Sequence, residues 1–308
     1  MKRGVVLHGT GGIWVVRDEE GAELEVSLRG RMKQEGLPKL AVGDVVDIEL
    51  ETRGDSWAIR EIHPRRSKLA RRAPGDGRGE RIVAANLDQV VVVFAMVSPT
   101  PHLRMLDRFL VIAEANEIVP HVVVNKIDLA SEAEARELFG EYLRIGYEVH
   151  FVSKVTGLGL EALHESLRGR TSALAGPSGV GKSSLINAMY PELHLRVGEI
   201  SPSVNKGRHT TVGARAYPLP DSGYVVDTPG LREIGFWGLP PASLIDCFPE
   251  FRPALGNCKF ADCSHLVEPG CAVREAVASG AASAARYDSY TKLLDEVRAA
   301  ARLGGAGL

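Results

Sequence analysis

Gly176-Pro177-Ser178-Gly179-Val180-Gly181-Lys182-Ser183 is the stretch from which the rest of the chain can be read. It matches G-x-x-x-x-G-K-[ST], follows the apolar Ala173-Leu174-Ala175, and runs into the helical pattern Ser184-Leu185-Ile186-Asn187-Ala188-Met189. Strand, glycine-rich loop and helix in that order make a phosphate cradle. The glycines let consecutive backbone N–H groups turn inward at the positive end of a helix. Lys182 is expected to reach the β and γ phosphates of a nucleotide, and the Ser183 hydroxyl to bind Mg2+.

Working outward, residues 86–235 alternate strand and helix. Gln89-Val90-Val91-Val92-Val93-Phe94 and His121-Val122-Val123-Val124 are continuous apolar runs, as strands buried on both faces require. Leu103, Leu106, Phe109, Leu110 and Ala113 between them have helical spacing. Further helices are expected at 133–143, 160–168 and 182–190, with strands near 148–152, 171–175 and 223–227. The fold class is a doubly wound α/β domain.

Asn125-Lys126-Ile127-Asp128 closes one of those strands, where α/β sheets bind ligands. An aspartate there accepts hydrogen bonds from guanine N1–H and the 2-amino group, a pair adenine does not offer. Four residues alone arise by chance too easily to decide anything; beside the phosphate loop they specify the base. Phe151-Val152-Ser153-Lys154 suits a loop backing the base through Ser153. Asp227-Thr228-Pro229-Gly230 follows the apolar Tyr224-Val225-Val226. Asp227 suits outer-sphere binding of Mg2+, and the Gly230 N–H is placed to sense the γ-phosphate. Gly207-Arg208-His209-Thr210-Thr211 lies between, in a loop long enough to order on GTP and relax on hydrolysis. The order is unusual. GTPases ordinarily run phosphate loop, switch threonine, D-x-x-G, N-K-x-D, serine loop; here the last two come first, a circular permutation.

Residues 1–64 read as β, with short runs at Val5-Val6-Leu7, Ile13-Trp14-Val15-Val16, Leu24 to Leu28, Val45 to Leu50 and Trp57-Ala58-Ile59, punctuated by glycine turns. Five short strands suit a small barrel, an OB-fold or another of its size. Between Arg60 and Arg81, eight basic residues face only three acids around a flexible Pro74-Gly75-Asp76-Gly77-Arg78-Gly79, which reads as a linker with a basic face. The 308-residue chain has a formal net charge of −2, so any contact with a polyanion must come from such a local patch. At 44% hydrophobic and 25% charged, its composition is that of a globular protein of two or three domains. No run approaches the ~18 apolar residues of a membrane span. The first residues lack a signal-peptide stretch and the four cysteines make a poor disulfide framework, so a cytoplasmic protein is expected. Nothing suggests a dimer face, and a monomer is expected.

All four cysteines fall after residue 236. Cys258, Cys263, His265 and Cys271 offer three thiolates and an imidazole within 14 residues, a structural arrangement for tetrahedral Zn2+. The region looks poor in apolar residues, so the metal is expected to supply much of its folding energy. Cys247 reads as a small buried hydrophobe, with a reserve role as ligand. The end of the chain is helical, with an apolar stripe at Tyr290, Leu293, Leu294 and Val297.

The permuted order, the Gly-Arg-His-Thr-Thr segment, Asp-Thr-Pro-Gly-Leu-Arg-Glu, the basic Pro64-Arg65-Arg66-Ser67 stretch and the Cys/Cys/His/Cys spacing together resemble the ribosome-small-subunit-dependent GTPase A family, over nearly the whole chain. The resemblance implies an N-terminal OB-like β-barrel with basic linker at 1–72, a circularly permuted P-loop α/β GTPase domain at 73–235, and a C-terminal zinc-binding domain with helices at 236–308. It implies a Mg2+-dependent GTPase that is stimulated by the small ribosomal subunit, acts in its late maturation, contacts ribosomal RNA, and meets other assembly factors. Leu231 stands where many GTPases place a water-orienting glutamine, and the resemblance puts His209 in that catalytic role, beside Lys182. Thr211 is the preferred magnesium ligand, with Thr210 left open because Val212 stands where many relatives have a third threonine. Two other readings compete. One is an RNA-binding GTP switch with a non-ribosomal partner and little hydrolysis; the other is a P-loop kinase, which the Asn125–Asp128 motif disfavours.

Overall fold

The computed structural model describes residues 1–28, 39–51, 56–72, 80–195, 214–228, 236 and 238–305. Strands β1 (Lys2–Thr10), β2 (Ile13–Asp18), β3 (Glu23–Leu28), β4 (Val45–Leu50) and β5 (Trp57–Ile62) close into a barrel in the order β1-β2-β3-β5-β4. The β3–β5 pair is parallel and the other pairs are antiparallel. Alternation along these strands points Val6, Val16, Val26, Val46, Ile48 and Ile59 inward as the barrel core. This is the OB-like barrel that the strand spacing suggests.

The linker reading of the basic run needs correction. Residues Lys68–Arg72 (β6) and Glu80–Ala85 (β7) pair as an antiparallel two-stranded sheet, with Leu69 and Ala84 fully buried. Several of the cations there are committed to ion pairs: Arg60 with Glu49, Arg65 with Asp44, Arg66 with Asp88 and Lys68 with Glu80. Arg65 grips both oxygens of the buried Asp44, at 2.6 and 2.8 Å, which ties the stretch after the barrel back onto it. At Gly43 the backbones touch: a Cβ there would sit 2.1 Å from the Ala85 carbonyl oxygen, and φ is +85°. Charge count alone could not reveal this, because three of the four acids, Glu49, Asp44 and Asp88, lie outside the run.

The central sheet has six strands in the order β10-β9-β8-β11-β13-β12. These are β8 (Gln89–Ala95), β9 (Val119–Asn125), β10 (Glu148–Phe151), β11 (Thr171–Ala175), β12 (Arg215–Pro218) and β13 (Tyr224–Asp227). All neighbours are parallel except β12, an antiparallel edge strand that the sequence pattern had not disclosed. Helices α1 (Leu103–Ala115), α2 (Glu132–Ile145), α3 (Leu160–Leu167) and α4 (Lys182–Met189) connect the strands and match the expected helical stretches. Ser131 and Glu134 form a reciprocal capping box at the start of α2, and Gly146 ends it with φ +103°.

After residue 236 the chain makes short 3-10 turns, then α5 (Ala272–Ala278) and α6 (Ala284–Gly305). The expectation of a region poor in apolar material fails. Phe248, Phe251, Tyr287 and Tyr290 stack in edge and tilted pairs, and Leu293, Leu294 and Val297 join them in a cluster continuous with α1, α2 and the sheet. The stripe Tyr290, Leu293, Leu294 and Val297 supplies its helical side, as the sequence indicates; Phe248 and Phe251, scattered singly among polar residues, hid the rest. Arg286 sits at its centre, 2% exposed, donating to Asp107 of α1 at 2.7 Å and to Glu250 at 2.6 Å. No helix among the described residues is long and apolar enough to cross a membrane.

Candidate nucleotide site and metal centre

From β8 the chain steps through β9 to β10 on one side, then crosses to β11 on the other side of β8. This reversal opens the crevice where α/β sheets receive ligands. The phosphate loop leaves β11, the segment Asn125 to Asp128 leaves β9, Ser153 follows β10, and Asp227 ends β13. Every described nucleotide residue expected from the sequence therefore lies at one edge of the sheet.

The phosphate loop is tightly built. Gly176 (φ +128°) passes so close to β8 that a Cβ would meet the Val93 carbonyl oxygen at 2.1 Å. Gly181 (φ +97°) would place a Cβ 2.5 Å from the Asn125 amide nitrogen. That amide is the brace between the two motifs: Asn125 Nδ2 donates to the Val180 carbonyl at 2.8 Å. Lys126 Nζ donates to Gly179 O at 2.8 Å and also to Ser98 O. Ser98 carries no sequence signal and was missed. Lys182, 6% exposed, curls over its own loop and donates to the carbonyls of Gly176 and Pro177 at 2.9 Å each. An ammonium there, at the start of α4, faces the space that the loop encloses.

Ser153 does more than back a base. Its buried hydroxyl donates to Asp128 Oδ1 at 2.5 Å and accepts from the backbone N–H of Val155 and Thr156. It thereby fixes the direction of a carboxylate that is itself exposed. Ile127 is buried beneath it, while Lys154 and Ser178 are exposed and Ser184 is half-buried. Ser183, in the first turn of α4, and Asp227, at the end of β13, are each 6% exposed; the phosphate loop comes from β11, whose Leu174 pairs with Asp227. A buried hydroxyl and a buried carboxylate are the donor types that Mg2+, a hard cation that takes oxygen ligands, requires. His209, Thr210, Thr211 and Gly230 lie outside the described residues, as does the glycine-rich stretch 74–79.

The second site is the cysteine cluster. The ligand atoms of Cys258, Cys263, His265 and Cys271 all lie within 4.8 Å of one another. His265 Nδ1 is 3.5 Å from both Cys258 Sγ and Cys271 Sγ. Zinc bonds of about 2.3 Å to sulfur and about 2.0–2.1 Å to nitrogen, at the tetrahedral angle, give an S···N edge of about 3.5 Å. The donor set fits the ion. Burial lowers the His265 pKa, keeping the ring neutral with a lone pair to give. His265 adopts φ +59°, and the turn around it is clamped: Tyr287 donates to His265 O and Tyr290 to Ser264 O. Glu268 accepts from the Ser264 hydroxyl and from three backbone N–H groups, which hold its carboxyl well below the usual range. Glu268, three residues past His265, was a legible turn signal that went unread. Cys247 takes no part: it is 5% exposed, its thiol is 3.7 Å from Ser243 O, and burial pushes its pKa up to about 12.

Comparison with known proteins agrees with this architecture. The model of the RsgA GTPase family matches residues 62–237. A protein of Gemmatimonas aurantiaca called small ribosomal subunit biogenesis GTPase RsgA is 58% identical over 96% of this chain and 97% of its own. One of the same name from Bacteroides fragilis is 37% identical over 96% of each chain. The crystal structure of YjeQ from Thermotoga maritima superposes with a TM-score of 0.79 at 36% identity, over 96% of this chain and 98% of that one. That of YloQ, described as a circularly permuted GTPase, gives 0.74 at 30% identity, over 97% and 95%. Matched through the permuted sheet by the family model and nearly end to end by these relatives, the chain belongs to the RsgA GTPase family.

Proposed function

We propose that this chain is a cytoplasmic, Mg2+-dependent GTP hydrolase of small ribosomal subunit biogenesis, stimulated by the subunit it acts on. The observation that carries the reading is the Asn125 amide bonded to Val180 of the phosphate loop: base selection and phosphate binding are one braced unit. In this reading Asp128, aimed by Ser153, selects guanine. Gly176 to Ser184 wrap the phosphates, Lys182 neutralises their charge, and Ser183, Thr211 and Asp227 hold the magnesium. Bound there, Mg2+ supplies charge stabilisation at the β and γ phosphates. His209 orients water, and Gly230 contacts the γ-phosphate. Zinc at Cys258, Cys263, His265 and Cys271 is structural. The divisions 1–72, 73–235 and 236–308 serve as RNA-docking barrel, GTPase and zinc-bearing units, the first two bridged by the β6–β7 hairpin, in a monomer that contacts ribosomal RNA and other assembly factors.

The test is GTP hydrolysis with and without purified small subunits, on the wild type, Lys182→Ala and His209→Ala. Stimulation lost in both variants is the expected result. Stimulation that survives in His209→Ala discards the role of that histidine, and no stimulation in the wild type leaves a GTP switch with another partner.

A further inference from the structure

His121 is the third residue of β9, and the register pairs it with Glu148 of β10, while His150 pairs with Val123. Residues two apart share a sheet face, so His121, Glu148 and His150 project together from the edge of the sheet. One ligand atom from each, a ring nitrogen of His121, a ring nitrogen of His150 and a carboxylate oxygen of Glu148, lies within 4.8 Å of the other two. Glu148 Oε2 stands 3.3 Å from His121 Nδ1, and its other oxygen, Oε1, 2.9 Å from His150 Nε2. The rings lie 9° from parallel, and His121 and His150 are 2% and 9% exposed.

Two buried imidazole nitrogens aimed at one carboxylate need a reason. Neither nitrogen has a hydrogen bond of acceptable geometry, although both are within ion-pair distance of Glu148. A buried polar atom left so is destabilising. A cation between the three groups would satisfy both nitrogens at once. The geometry points to a second metal site here, for a divalent first-row transition ion of the zinc class.

Donor chemistry narrows the choice. Two neutral imidazoles and one carboxylate suit Zn2+, Co2+, Ni2+ or Cu2+; Mg2+ and Ca2+ prefer oxygen alone. With ligand bonds near 2.1 Å, ligand atoms stand about 2.9 Å apart at right angles and about 3.4 Å apart at tetrahedral angles. The two separations from the carboxylate already fall in that range. Three protein ligands leave a position for water or an exogenous donor, and the Glu148 side chain, 54% exposed, opens the site to solvent. The site is separate from the GTP reading. Asn125, where β9 enters the nucleotide crevice, is four residues further along, about 13 Å at strand rise. Binding here pins the edge strand β10 to its neighbour.

The experiment uses the full-length protein with its cysteine site already filled with zinc. It is titrated with Zn2+ and with Co2+ by calorimetry, and bound metal is counted after gel filtration. The wild type is expected to take up one further equivalent, whose cobalt spectrum lacks the thiolate charge-transfer band that a cysteine site produces. His121→Gln and His150→Gln should lose that equivalent and keep the first. Glu148→Ala, at an exposed side chain that leaves the fold intact, should weaken it by about tenfold or more, the least that even loss of a supporting partner costs. A wild type that binds no second equivalent overturns the proposal. So does a second equivalent whose affinity is the same in Glu148→Ala, whether or not the histidine variants fold.

Discussion

Gly181 shows how much a single position carries. Its φ of +97° and a neighbour 2.5 Å from any added Cβ exclude every side chain without displacement of Asn125. An alanine in the left-handed region costs about 1–2 kcal/mol before any clash is counted. The displaced Asn125 would also release the Val180 carbonyl. We therefore expect Gly181→Ala to weaken GTP binding by about tenfold or more, since about 1.4 kcal/mol is a factor of ten. Fluorescent-nucleotide titration reads this directly, and a Kd within twofold of wild type would show that the brace is dispensable. The chemistry at this scale was open to sequence reasoning because phosphate and guanine demand particular atoms in a particular order. What stayed hidden were contacts made through backbone carbonyls, such as those of Val180, Gly179 and Ser98, for which any residue type serves.

At the scale of elements, α1, α6 and the turn at Pro249–Ala254 are joined by Arg286. It is 2% exposed, lies 4.7 Å over the Phe248 ring, and is paired on both sides by carboxylates. Removing one partner of a buried ion pair strands the other charges, at about 3–5 kcal/mol. Arg286→Met should lower unfolding stability by that amount in urea titration; a loss below about 1 kcal/mol would mean the carboxylates find water instead. The cysteine loop makes a separate prediction. Stripping its metal with a strong chelator should loosen the loop that the metal ties and expose three fast-reacting thiols, from Cys258, Cys263 and Cys271, the last of them 2% exposed while the loop is closed. The fourth, from the buried Cys247, should react slowly. Four equally fast thiols would place Cys247 in the metal loop. Elements with one strong period were legible: β8, buried along its whole length, and α2, with its cap and terminal glycine. Short strands such as β6, β7 and β12, four to six residues each, were not, since their pairing is set by distant partners rather than by local pattern.

For the molecule as a whole, the barrel rests on the outer edge of the sheet, β1 against β12. His8 of β1 lies near that seam. Loss of hydration lowers its pKa, the Arg215 charge of β12 adds to the effect, and Glu23 opposes it. Above the ordinary histidine range neither the folded nor the unfolded chain carries that proton. Below about pH 6.5 the unfolded chain takes it up first, so stability falls as pH drops until the folded-state pKa is passed. The stability gap between the wild type and His8→Gln should therefore shift against the wild type between pH 7 and pH 5. Urea melts across that window check this, and parallel curves would remove His8 from the seam.

The strand order also bears on how the chain is born. β8 and β11, the two strands at the centre of the sheet, are separated by α1, β9, α2, β10 and α3. During translation at about 5–20 residues per second, β8 waits on the order of 4–16 s for its inner neighbour, held meanwhile only by β9. The segment Asn125 to Asp128, proposed to select the base, is thus finished well before the phosphate loop, and Asp227 comes later still. With Asp227 part of the proposed site, a nascent chain completes that site only once nearly three quarters of it has left the ribosome, so GTP is expected to stabilise only a chain whose sheet is complete.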